Sequence, residues 1–401
     1  MPASVYEIAR LPRLLVGPGT FARTATEVAA LGRHALVVTG ARSFTGTPAW
    51  GRLRTDLEAE GLTWTHLAVA GEPSPEWVDE AVLRSRGEGI NVVLAVGGGS
   101  ALDAGKALAG LLLHGNSVMD HLEGVGPELP YGGPALPFVA VPTTAGTGSE
   151  ATKNAVLSRH GPGGFKKSFR DPQLVARVAI VDPDLLATCP PAVVAANGMD
   201  AFTQLLESLC SLKANRFTDA LAWDGLAAFR DGFWPAWRHA GDPDHAEARA
   251  GRGALAHAAL MSGICLAQTG LGAVHGLAQP LGSLFPIPHG VVCGTTVGAA
   301  TRMNMAALTA RAPDSPALAV LAKAGRLLGK RKDLPDEDAR ALLADTLDAW
   351  TDDLALPRLS AFGVGQGDIP AIVANSRGSS MKTNPVVLTD DEVAAIVQAR
   401  L

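Results

Sequence analysis

Strand signals fill the first half of this chain and all but vanish from the second. Ala35–Thr39 (ALVVT), Val92–Val96 (VVLAV), Phe138–Val141 (FVAV) and Val178–Val181 (VAIV) are short, nearly unbroken apolar runs, as strands buried on both faces require. Between them, Trp50–Glu60 and Pro75–Arg86 carry helical patterning. Strand, helix, strand at this spacing predicts βαβ units and a mostly parallel sheet. The stretch Asp182–Pro191 (DPDLLATCPP) holds three prolines and reads as a hinge or linker. Beyond it come Ala192–Ser211, Thr218–Phe233, His245–Ala267, Ser315–Leu328 and Pro335–Leu354, all rich in helix formers, with Pro335 expected at a first helical position. The expected architecture is an α/β domain over 1–185 followed by an all-helical domain over 186–401, and 401 residues suffice for two cores.

Composition narrows the function classes. Apolar residues at 47% against 18% charged exclude a disordered chain. A net charge of −5 gives no reason to expect nucleic-acid binding. Apolar stretches such as Ala107–Leu113 fall short of the roughly 20 residues that span a bilayer. Cys189, Cys210, Cys265 and Cys293 form no CxxC pair, so neither a zinc knuckle nor a disulfide framework is expected, and thiols this sparse suit a reducing compartment. The N-terminal MPASVYEIARLPRLLVGPG has no long apolar core of the signal-peptide kind. A cytoplasmic protein that binds neither membrane nor nucleic acid is the expectation.

Two loops have the composition of a nucleotide site. Val92–Val96 runs into Gly97-Gly98-Gly99-Ser100, and a helix over Ala101–Leu113 follows, with Asp103 and Lys106 on its first turns. Glycines admit a close ligand, and unpaired N–H groups at a helix start attract anions, although three glycines also make an ordinary tight turn. It is not the GxGxxG pattern. After the next strand comes Pro142-Thr143-Thr144-Ala145-Gly146-Thr147-Gly148-Ser149-Glu150, whose hydroxyls suit diphosphate or ribose, or simply cap the next helix. Both loops fall at carboxyl ends of predicted parallel strands, where open α/β sheets bind ligands. Ala35–Thr39 ends in Gly40 rather than an acid, which leaves NADP open beside NAD, with Arg42 at hand for a 2′-phosphate.

In the helical half, Asp200 and Gln204 lie four apart in an apolar helix, and His275 and Gln279 repeat that spacing. His289 follows at an expected helix start. Each alone is the kind of polar group a core satisfies internally. Together, one carboxylate and two imidazoles are a ligand set for Zn(II) or Fe(II) with coordination positions to spare.

The residues at this point resemble the iron-containing alcohol dehydrogenases, a family that includes lactaldehyde reductase-like, glycerol dehydrogenase-like and maleylacetate reductase-like enzymes. The similar segments are Gly97-Gly-Gly-Ser-Ala-Leu-Asp-Ala-Gly-Lys106, Pro142–Thr152 (PTTAGTGSEAT), Ile180–Leu185 (IVDPDL), Gly198-Met-Asp-Ala201, Gly272-Ala-Val-His-Gly276, Pro288-His-Gly290 and Asn384-Pro385. They span nearly the whole chain. The resemblance implies a dinucleotide domain, a helical domain and an active site in the cleft between them. By position, Gly97, Gly98, Ser100, Thr143, Thr144 and Thr147 would line NAD or NADP, Asp103 would sit near the nicotinamide and Lys166 would reach the ribose. Asp200, His275 and His289 match metal ligands, and a homodimer is implied.

The chain departs from that pattern twice. Gln204 stands where a histidine ligand is usual, and Gln279 where a histidine near the nicotinamide is usual. An amide oxygen is a weak ligand for a borderline ion, and an amide is no general acid or base. Gln204 stays a candidate ligand and Gln279 holds the catalytic position. The expected activity is reversible hydride transfer between nicotinamide and a small alcohol or aldehyde, assisted by Fe(II) or Zn(II). The alternatives are a metal-independent maleylacetate reductase-like enzyme, for which basic residues such as Lys213 would meet substrate carboxylates, and a nucleotide-binding homologue without catalysis. PTTAGTGSE and GMDA argue against a sugar-phosphate cyclase of the dehydroquinate synthase type.

Overall fold

In the computed structural model, residues 5–161 and 163–401 are described; residues 1–4, which open the segment read above for a leader, lie outside them. The first half builds β1 (Arg13–Val16), α1 (Thr24–Ala29), β2 (His34–Gly40), α2 (Pro48–Ala59), β3 (Thr63–Val69), α3 (Pro75–Ser85), β4 (Val92–Gly97), α4 (Gly99–Leu111), β5 (Phe138–Pro142), β6 (Asn154–Arg159), β7 (Phe165–Arg170) and β8 (Val178–Val181). Six strands pair in parallel in the order β1-β8-β5-β4-β2-β3, with Ala35 opposite Val92, Val93 opposite Phe138 and Val139 opposite Val178. Successive side chains point to opposite faces, and here both faces are covered. Leu36, Val38, Val93 and Ala95 pack with Val78 and Val82 of α3 and Leu102 and Leu108 of α4. Val37, Leu94, Val96 and Val139 pack with Leu53 and Leu57 of α2 on the other face. The strands β6 and β7 form a separate antiparallel hairpin.

Four of these strands match the apolar runs of the sequence. The other four carry weaker signals. Strand β1 is a four-residue edge, β3 is half-exposed along much of its length, and the hairpin reads NAVLSR and FKKSFR, where Ala155, Leu157 and Phe169 are buried but cations interrupt the apolar pattern.

The second half is α5 (Pro191–Cys210), α6 (Arg216–Arg238), α7 (Ala246–Thr269), α8 (Ala273–Leu284), α9 (His289–Arg311), α10 (Pro316–Leu328), α11 (Asp336–Asp353), α12 (Ile369–Asn375) and α13 (Asp390–Gln398). No strand follows Val181 among the described residues. Helix α5 is buried from Ala195 to Cys210 apart from Asn197, and it packs against α6, α7 and α9 at the centre of this core. Pro335 is the N-cap of α11 rather than its first residue; three acids at Asp336, Glu337 and Asp338 fill the first turn, where the helix dipole favours them. The proline-rich connection is pinned: Asp182 accepts from the Phe21 and Asp184 N–H groups, and Pro183–Leu186 is a 3₁₀ turn. Among the described residues no single helix is long and apolar enough to cross a membrane; α7 and α8 reach that composition only together, across a 98° bend.

Candidate active site

Strand order locates the first part of the site. From β2 the chain moves outward to β3, whereas β4 leads the other way to β5 and β8. Ligands bind open α/β sheets beyond the strand ends at such a reversal, and the Gly97–Ser100 turn leaves β4 there. Helix α4 starts at Gly99 with no side chain capping it, so its first N–H groups remain available to an anion. The two loops interlock. A Cβ on Gly98 would lie 3.3 Å from Thr144 Oγ1, and one on Gly99 would lie 3.0 Å from the Thr147 side chain. Gly98, Gly99, Ser100, Thr144 and Thr147 are half-buried, while Gly97 and Thr143 lie deeper.

Asp103 and Lys106 fasten α4 to the second loop. Lys106 is fully buried, and its ammonium donates to Ser149 Oγ (2.6 Å), Thr152 Oγ1 (2.9 Å) and the Asn154 carbonyl (2.6 Å). Ser149 Oγ in turn donates to Asp103 Oδ1 at 2.6 Å. Burial pushes the Asp103 carboxyl up and the Lys106 ammonium down, against their mutual attraction. Neighbouring Glu150, also buried, is pushed up to about 7 by desolvation. The loop then wedges into the helical half: Gly148, at φ +58°, approaches α7 so closely that a Cβ there would lie 2.4 Å from Gly263 Cα.

The second part of the site is built by α5, α8 and α9. Asp200, His275, His289 and Cys293 bring one ligand atom each within 4.8 Å of one another. His275 Nε2 lies 3.2 Å and His289 Nε2 3.6 Å from Asp200 Oδ1. Behind His275 stands Glu207, one oxygen accepting from His275 Nδ1 at 2.7 Å and the other from the Val274 N–H at 2.7 Å. Asn384 Oδ1 accepts from the Ala273 N–H at 3.1 Å, so α8 is capped by side chains from distant elements. A carboxylate that fixes the outer nitrogen of an imidazole is the usual support of a metal-ligating histidine.

The electrostatics match. Burial alone would raise the Asp200 carboxyl, but the two imidazoles and Gln204 hold it at about 2. Burial pushes His289 down to about 4, so its ring is neutral at physiological pH. Burial also lowers His275, but Cys293, Asp200 and Glu207 outweigh it and raise this imidazole well above its ordinary range. Asp200 Oδ2 and His289 Nδ1 are buried with no hydrogen-bond partner among the described residues. A buried oxygen left unpaired is costly, and a divalent cation among these donors satisfies it. The residues present fit a metal ion.

The expected site residues fall out as follows. Asp200, His275 and His289 come together, and the Gly97–Ser100 turn meets the Thr143–Thr147 loop. Gln204 turns its amide nitrogen, a donor, toward Asp200 Oδ1 (3.0 Å), while its oxygen accepts from Ser262 Oγ (2.9 Å). In that orientation it offers the cluster no lone pair. Gln279 is half-buried, its Oε1 beside Gly378. Lys166 pairs with Glu72, its stem passes over Gly282 of α8, and its charge lowers His289. It therefore ends at the imidazole side of the site. Lys213 is exposed on the turn between α5 and α6. Two residues went unnoticed in the sequence. Cys293 is four beyond His289, and Glu207 is seven beyond Asp200, so each shares a helical face with a candidate ligand.

Residues 12–183 match the family model "Iron-containing alcohol dehydrogenase", and residues 194–401 match "Fe-containing alcohol dehydrogenase family, C-terminal". Long-chain-alcohol dehydrogenase 1 of Geobacillus thermodenitrificans (strain NG80-2) is 29% identical over 401 residues, covering 99% of this chain and 97% of that protein. Lactaldehyde reductase of Escherichia coli (strain K12) is 30% identical over 323 residues, covering 79% of this chain and 78% of its own. The crystal structure of a sulfoacetaldehyde reductase from Bifidobacterium kashiwanohense in complex with NAD+ superposes with a TM-score of 0.82 at 25% identity, covering 99% of each chain.

Proposed function

The chain belongs to the iron-containing alcohol dehydrogenase family, and from that membership we propose that it moves a hydride reversibly between the nicotinamide C4 of NAD(P) and the carbonyl carbon of a small aldehyde or alcohol. It is an oxidoreductase acting on alcohol groups. One observation carries the site assignment. The Thr143–Thr147 loop and the acidic ligand converge on one hydroxyl: Ser262 Oγ, with a single proton to give, stands within reach of the Ala259 carbonyl (2.7 Å), Gln204 Oε1 (2.9 Å) and the Gly146 carbonyl (3.4 Å), and Gln204 donates to Asp200. Loop and ligand are thus held in one frame.

In this reading the Gly97–Ser100 turn and the start of α4 hold the diphosphate, with Thr144 and Thr147 beside it. Arg42, exposed just beyond β2, could meet a 2′-phosphate, which keeps NADP open beside NAD. Lys166, whose charge lowers His289, would reach the ribose. Asp200, His275 and His289 would hold Zn(II) or Fe(II). When bound, the ion polarises a carbonyl oxygen and stabilises the alkoxide that forms. Glu207 keeps Nδ1 of His275 engaged and Nε2 turned inward, and Gln204 holds Asp200 in place. Gln279 can neither give nor take a proton, so that proton would pass through water, a ribose hydroxyl or another residue. Cytoplasmic homodimers complete the proposal, four unpaired thiols being suited to a reducing compartment.

The test is oxidation of NADH and NADPH by the purified protein against a panel of short aldehydes, including hydroxylated ones. Turnover that saturates in both substrates is expected. No turnover with either cofactor across the panel overturns the reading.

A further inference from the structure

We propose that Cys293 is itself a metal ligand, supplying from α9 the fourth donor that Gln204 does not supply from α5. The proposal rests on the metal-assisted reading above. The sulfur lies 3.6 Å from His275 Nε2 and 3.9 Å from His289 Nε2, and the imidazoles lie 3.2 and 3.6 Å from Asp200 Oδ1. Arms of about 2.0–2.3 Å, the usual lengths from zinc to oxygen, nitrogen and sulfur, give a tetrahedron with edges of about 3.3–3.8 Å. Four of the six separations stand close to that spacing, and the other two lie within 4.8 Å.

Buried Cys210 makes no sulfur hydrogen bond among the described residues, and the other two cysteines show a different habit. Cys189 and Cys265 direct their sulfurs to the carbonyls of Thr143 and Thr218. Cys293 has no carbonyl partner among the described residues; it faces two imidazole nitrogens and lies within 4.8 Å of a carboxylate whose second oxygen is unpaired among them. Its position on α9 is set by His289 one turn earlier, so the two donors share a face without any loop to adjust. Gln204 turns its amide nitrogen to Asp200 and its oxygen to Ser262, so its lone pairs face away from the cluster.

On binding, the Cys293 S–H would give its proton to solvent and the thiolate would become the fourth protein donor, so that a substrate oxygen would enter as a fifth ligand. A thiolate with two imidazoles and one carboxylate is a softer set than oxygen and nitrogen alone. That favours Zn(II) over Fe(II), in the sense already given by their intrinsic order of affinity.

The experiment uses the full-length protein stripped by a chelator and reloaded with Co(II). Wild type is expected to show sulfur-to-cobalt charge-transfer absorption in the near ultraviolet beside the visible ligand-field bands. Cys293→Ser and Cys293→Ala are expected to lose the first and keep the second, while Cys265→Ser keeps both. Chelator competition is expected to show zinc affinity lowered at least about tenfold in Cys293→Ser. Zinc-edge X-ray absorption of unaltered protein supplies a measurement that no folding defect can mimic: a sulfur at about 2.3 Å is expected. Cobalt that fails to bind, charge transfer absent from wild type or persisting in Cys293→Ser, or a zinc shell without sulfur overturns the proposal. Aldehyde turnover, read separately, tells whether the dehydrogenase assignment survives that outcome.

Discussion

His275 Nδ1 donates to Glu207 Oε2 at 2.7 Å, so a carboxylate on α5 decides which nitrogen of this imidazole faces Asp200. The same carboxylate accepts from the Val274 N–H and holds the first turn of α8. Glu207→Gln keeps the shape and removes the charge. Metal affinity is expected to fall by about 10–100-fold, the usual cost of losing such a partner, with the fold intact by circular dichroism. Unchanged affinity in a chelator titration would show that His275 needs no such support.

Gln204 has a different part, and its substitution separates ligand from support. Gln204→Leu removes the donor to Asp200 and the acceptor of Ser262 in a fully buried setting. Unmet buried polar groups cost about 1–3 kcal/mol, so the midpoint of urea unfolding is expected to drop accordingly. Metal affinity is expected to fall less than in Glu207→Gln. A larger fall would place Gln204 among the ligands.

Glu150 gives a pH dependence with a definite sign. Its pKa in the folded protein is pushed up to about 7 from an ordinary 4.5, because burial disfavours the charge. The folded state therefore holds this proton more tightly than the unfolded chain. Its contribution to stability is complete below pH 4.5 and is lost as pH rises through about 7, by up to roughly 3 kcal/mol. Glu150→Gln is expected to flatten that part of the profile of unfolding midpoint against pH. An identical fall in both proteins would assign it to other groups.

Gly148 ties cofactor loop to helical core. Alanine there meets both a left-handed φ of +58° and the backbone of Gly263. Gly148→Ala is expected to cost more than about 1 kcal/mol and to raise KM for the nicotinamide cofactor through displacement of the adjoining Thr147. A variant with unaltered melting temperature and cofactor KM would show that the contact yields freely.

Much of this was legible in the sequence, and the gaps have physical causes. Strands β2, β4, β5 and β8 lie inside the sheet under helices, so they must be apolar on both faces and read as unbroken runs. The edges β1 and β3 and the charged β6–β7 hairpin are not under that constraint, and their composition hides them. Asp200, His275 and His289 were found through the segments around them. Glu207 and Cys293 were not, although each is spaced to share a ligand's helical face. A glutamate or a cysteine at that spacing acquires meaning only when α5, α8 and α9 are packed together. The orientation of the Gln204 amide likewise depends on Ser262, 58 residues away on α7.

Hydride transfer itself is read most directly with a reduced cofactor carrying deuterium at both positions of nicotinamide C4. Protein stripped of metal, and the same protein reloaded with zinc, are each given this cofactor and an aldehyde, and the alcohol is analysed by mass spectrometry. Deuterium at the carbinol carbon is expected from the reloaded protein, with little or none from the stripped one. Label that appears equally without metal would contradict the metal-assisted assignment, and alcohol that never carries the label would contradict the dehydrogenase assignment altogether.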